Sequence, residues 1–292
     1  MKGRIWIGLV AVIAAIAAIA VLSGGGGGRG GSLDPVAQAA ETTTHVGGAH
    51  VALSGSVSIS SLATPITITG RGAFNFKTDE GDLEMTMGGF PPSVTARLSG
   101  RELKMRELFK AGSIYIGSPL FAGSLPRGAS WMRLDIGRVQ QAIGLDPSSL
   151  TNGGADPAAY LRFLKASGGS SHLVSHETLR GVSTAHYSGT IDLLKALEAQ
   201  PSSDRAKLRA AFSKIEAQTG LRELPVGVWI DSHGLVRKVS LTMSVGAGAQ
   251  HGDVAISVEY FDFGPTPSIS APPASEVFDA TGHSLQSLSP GG

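Results

Sequence analysis

Cysteine is absent from the 292 residues. That excludes disulfides, thiolate nucleophiles, zinc–thiolate centres and iron–sulfur clusters. Charge is sparse: Asp, Glu, Lys and Arg make up 16% of the chain, and 24 basic against 23 acidic side chains leave a net charge of +1. The clustered positive charge of a nucleic-acid binder is missing, as are runs of like charge. Catalytic signatures are missing too. There is no Gly-x-Ser-x-Gly elbow, no glycine-rich loop ending in the Walker lysine, and no dinucleotide fingerprint between a strand and a helix. No enzymatic activity and no cofactor are expected.

What the chain has is apolar surface, with 42% hydrophobic residues, enough for a sizeable core. The first stretch of it is continuous. Lys2 and Arg4 precede an uncharged run from Ile5 to Leu22. Eighteen helical residues span about 27 Å, close to the roughly 30 Å of a bilayer's hydrocarbon core. The positive flank sets the orientation, with the rest of the chain outside, and Trp6 suits the interfacial belt. The segment reads as a signal anchor or signal peptide over 1–23. Leu22-Ser23-Gly24 has the start of a lipobox, but Gly25 stands where a lipidated cysteine belongs. Ala37-Gln38-Ala39 matches a cleavage pattern far beyond the apolar run, and a cut after Ser23 is the other option. Residues 24–33 form a glycine-rich linker.

From 34 to 280 the hydrophobic period divides the chain into elements. Asp34-Pro35 starts a helix, Val36 to about His45, that stops at Gly47-Gly48. The period then becomes two. Ile66, Ile68, Phe74 and Phe76 share one parity, opposite Thr67, Thr69, Arg71, Asn75 and Lys77. The same alternation runs through Leu83, Met85 and Met87, through Val94, Ala96 and Leu98, and through Leu103 and Met105. Ile114 and Ile116 follow, and Trp131–Leu134 is a further strand. Short strands separated by turn residues read as an antiparallel meander with one apolar face. The middle is helical: around Ile136, Val139 and Ile143, then Ala158–Ala166, Leu193–Ala199, and a stripe of Leu208, Ala211, Phe212 and Ile215. Between them Leu173–Leu179 and Val182–Ile191 form a β pair around Arg180-Gly181. Val226–Ile230, a turn at Asp231–Gly234, Val239–Val245 and Val254–Tyr260 complete the β content. Pro265 to Pro273 forbid regular pairing, and 281–292 reads as a disordered tail.

The titratable residues give no reactive cluster. His172 and His176, four apart, would suit a metal on a helix. On the expected strand they share a face about 13 Å apart, too far for one ion. Asp79, Glu80 and Asp82 read as a solvated hairpin tip, and no cleft is indicated for Glu259 and Asp262.

The order of elements resembles the LolA-like superfamily of lipoprotein and lipid carriers, nearest to LppX/LprG-type lipoproteins. The matching stretches are LDPVAQAAETT, GRGAFNF, LVSHETLRGVSTAHYSGTIDLLKA, LPVGVWIDSHGLVRKVSLTM and YFDFGPTPSISAPPASEVFD. The missing lipobox cysteine is the departure. The resemblance implies an α+β fold: a strongly curved antiparallel sheet, a half-barrel, with helices on its concave face. It also implies an apolar cavity between them for the acyl chains of a lipid or lipoprotein, in a protein exported to the cell envelope. The corresponding lining is Ile66, Ile68, Phe74, Phe76, Met85, Met87, Val94, Leu98 and Met105. Periodicity alone leaves the same residues as ordinary core. A membrane-tethered sensory module of the RseB type and an exported structural β domain without ligand are the other readings of this layout.

Overall fold

The computed structural model describes residues 35–60, 62–96, 102–121, 123–138, 171–192, 209, 213, 223–247, 250–266 and 268–282. The expected anchor and linker, the helices at 158–166 and 193–199, and Leu98 lie outside them. The helix Pro35–His45 (α1) leads into β1 (Gly48–Ile59), β2 (Ile66–Asn75) and β3 (Glu80–Gly88), then a helical turn at Pro92–Thr95 (α2). Next come β4 (Leu103–Lys110), β5 (Ser113–Gly117), β6 (Trp131–Asp135), β7 (Ser171–Leu179) and β8 (Val182–Asp192). The chain ends with β9 (Glu223–Asp231), β10 (Val236–Ala247), β11 (Gln250–Phe261) and β12 (Val277–Asp279).

The twelve strands among the described residues form one sheet in the order β12-β6-β5-β4-β3-β2-β1-β11-β10-β9-β8-β7. Neighbouring strands twist by about 20–25°, so a sheet this wide curves. It stays open, because β12 and β7 are its two edges. Ten of its pairings are antiparallel, and the β12–β6 pairing is parallel. The half-barrel layout expected from the sequence is met in this coarse sense, a large, curved, unclosed and mostly antiparallel sheet.

Register aligns the apolar residues on one face, because side chains alternate along a strand while paired residues point the same way. One row reads Val228, Val239, Val258, Leu53, Gly70, Met85 and Met105 from strand to strand. The next reads Tyr260, Val51, Gly72, Leu83, Glu107, Ile116 and Met132. Helix α1 lies on this inner face against β9 and β10 and buries Val36, Ala39, Ala40 and Thr43. Phe74, Phe76, Phe109 and Tyr260 make an aromatic cluster at one end of it, with ring centroids 6.0–6.4 Å apart.

Four differences from the sequence reading have physical causes. Val94 was expected on a strand, but Pro91-Pro92 denies the ladder its N–H donors. The segment coils instead, with Thr95 N donating to Pro91 O and Ala96 N to Pro92 O. In β7 a bulge between Leu173 and Ser175 shifts the register. His172 then pairs with Ser188 and His176 with Ala185, so the two histidines fall on opposite faces rather than sharing one. Strand β12, beyond the prolines, was not anticipated. Thr281, placed at the start of the tail, is fully buried, and its Oγ1 accepts from Asp135 N at 3.0 Å.

Candidate functional site

The inner face is covered unevenly. Ile66, Ile68, Phe74, Phe76, Leu83, Met85 and Met87 are buried in the core cluster, together with Val57, Leu241, Val254 and Ile256. Toward β4, β5 and β6 the same rows open out. Leu103, Met105, Glu107, Ile116, Met132 and Leu134 are half-buried although they continue the apolar rows of β3. Of the nine lining residues expected from the sequence, six therefore sit in packed core. Met105 stands in the half-covered patch. Val94 is in α2, its side chain outside the described residues, as is the whole of Leu98.

Glu107 was missed in the sequence reading. It is directly opposite Leu83 on β3 and Ile116 on β5, with Met105 and Phe109 two residues away on its own strand. Burial among these apolar neighbours pushes its carboxyl up to about 7. The residue is half-buried, with its carboxyl desolvated by the surrounding apolar side chains. The signal was present in LKMREL: Glu107 has the parity of Leu103 and Met105.

The outer face is polar and held by ion pairs. Arg106 donates to both carboxylate oxygens of Asp82, at 2.9 and 2.5 Å, and Lys110 pairs with Glu80 at 2.6 Å. Asp82 and Glu80, at the start of β3, are thus matched by cations from β4. Glu259 pairs with Arg180 at 2.8 Å. An open groove of about 580 Å³ lies on this face, where Trp131 covers Gly117 beside Lys104, Arg106 and Ser130. Farther along, Glu177 accepts from Trp229 Nε1 at 2.8 Å and Ser175 Oγ at 2.8 Å. These bonds, the indole's first, hold its carboxyl below the usual range. His186 stacks on the Trp229 ring at 3.9 Å, and Lys238 lies over the same ring. Among the described residues no three His, Asp or Glu side chains are grouped to hold a metal. No helix among them is long and apolar enough to cross a membrane.

The fold and this face define a class: an open, curved β sheet with a helix on its apolar side. No family model matches the chain. A curated relative from Streptomyces griseus, described as an uncharacterized 31.2 kDa protein in the rplA-rplJ intergenic region, is 31% identical over 106 residues. That match covers 36% of this chain and 33% of the relative. Among solved structures, the Mycobacterium tuberculosis lipoprotein LppX is similar over 81% of this chain and 96% of its own, at 14% identity and a TM-score of 0.43. LprF from Mycobacterium bovis is similar over 82% and 96%, at 11% identity and a TM-score of 0.41.

Proposed function

We propose that the chain is an exported, non-enzymatic carrier of the cell envelope that holds the acyl chains of a lipid or lipoprotein against the inner face of its sheet. The observation that carries this reading is the half-covered apolar patch formed by Leu103, Met105, Ile116, Met132 and Leu134. An apolar sheet face is stabilised by being covered, since each exposed methylene forgoes about 0.8 kcal/mol. Acyl chains would supply the missing apolar cover. In this reading the run Ile5–Leu22 holds the protein at the outer side of the cytoplasmic membrane or directs its export.

The test is native mass spectrometry of the full chain after extraction from membranes. The carrier reading expects co-purified acyl lipid, or uptake of labelled lipid by delipidated protein. A homogeneous lipid-free species that takes up none of oleate, phosphatidylcholine or glycerides would overturn it.

A further inference from the structure

The inner-face rows of β1–β6 and β8–β11 can be read position by position from the register. Most described positions in them are apolar or glycine, Ser183 and Gln250 near strand ends are neutral and polar, and Glu107 carries a charged group in the middle of its row. Glu107 lies within the half-covered patch, between Leu83 and Ile116 across the sheet and beside Met105 along the strand. Among the described residues it has no ion-pair or hydrogen-bond partner, whereas the acidic side chains of Glu80, Asp82 and Glu259 all have cations. A carboxyl left unpaired among apolar groups is unfavourable for folding. Its place is explained if a bound molecule supplies the partner.

We propose, building on the carrier reading, that Glu107 is the head-group contact of the inner face. Its carboxyl hydrogen-bonds the free hydroxyl of an uncharged glycerolipid whose chains lie along the apolar rows. The charge on the face selects this class. No described inner-face position in these strands carries Lys, Arg or His, so they offer an anionic phosphate no counter-charge beside Glu107. The histidine on this face among the described strands, His176, stands on the edge strand β7 at the other end of the sheet order. A hydroxyl suits either protonation state, because the carboxylate accepts its proton and the neutral acid can both donate and accept. With burial holding the group at about 7, both states are populated near neutrality.

The experiment uses full-length, delipidated protein and compares uptake of dioleoylglycerol with that of trioleoylglycerol, which lacks the hydroxyl. Wild type is expected to favour dioleoylglycerol about tenfold, the worth of one good hydrogen bond in an apolar site. Glu107→Leu is expected to lose that preference while keeping its trioleoylglycerol uptake, and Glu107→Gln is expected to retain it. Equal uptake of both lipids by wild type, stronger uptake of dioleoylphosphatidic acid, or an undiminished preference in Glu107→Leu would overturn the proposal while the carrier reading stands. Failure of wild type to take up any lipid would overturn the carrier reading, and this inference with it.

Discussion

Glu107 makes the stability of the protein depend on pH in an unusual direction. Its carboxyl titrates near 4.5 in the unfolded chain and at about 7 in the folded one. Below 4.5 both states hold the proton. Between the two values the unfolded chain has lost it and the folded chain has not, so rising pH favours unfolding through this group by about 1.4 kcal/mol per unit. Above 7 the loss levels off at up to about 3 kcal/mol. Asp279 acts the other way: bonds from Thr281 hold its carboxyl low, and that stability fades only as pH falls. The difference between wild type and Glu107→Gln isolates the glutamate. Urea titrations should find the variant no more stable than wild type at pH 4 and more stable by a few kcal/mol at pH 8. A second residue-scale prediction concerns Gly72 on β2. A Cβ there would collide with the Asp82 carbonyl of β3. Gly72→Ala must push the central strands apart, and thermal melts should show a loss of at least about 2 kcal/mol.

Among the elements, α1 is tied to the sheet through one hydroxyl. Thr43 Oγ1 donates to Ala39 O at 2.7 Å and accepts from Val236 N at 2.8 Å. Both residues are fully buried, and the register of β9–β10 is irregular between Val236 and Lys238. The ladder thus leaves the Val236 amide to the helix. Thr43→Val keeps the shape but orphans that amide, so it should cost about 1–3 kcal/mol. Hydrogen exchange at Val236 should accelerate in the variant. Most elements of this kind were legible beforehand. Alternation gave β2, β3 and β4, and Arg180-Gly181, with φ of 49° and 79°, forms the tight β7–β8 turn that its sequence implied. Three things were not legible. Apolar alternation at Val94–Leu98 concealed the effect of two prolines that precede it. The bulge in β7 has no residue signature, since LVSHE reads as an unbroken strand. Glu107 shares the apolar parity of Leu103 and Met105, and one polar residue in such a row gives no sign in the sequence of how far its neighbours desolvate it.

For the molecule as a whole, the unresolved choice from sequence was between a filled core and a binding recess. Residue type could not decide it, because methionine serves both purposes. The structure separates two methionines that face each other: Met85 is buried, and Met105, its partner across β3 and β4, is half-buried. The pair therefore forms an internal control. If the half-covered patch takes acyl chains, a polar group at Met105 should damage binding more than folding. At Met85 the order should reverse, since truncating a buried methionine costs about 2–5 kcal/mol. Met85→Ser should thus lower the melting temperature sharply. Met105→Ser should shift stability by less than about 1 kcal/mol and weaken lipid uptake severalfold at unchanged secondary structure. Equal destabilisation by both substitutions, with lipid uptake unaffected in Met105→Ser, would mean that the rows of β4 to β6 are ordinary core. The wide, open sheet would then enclose only its own side chains.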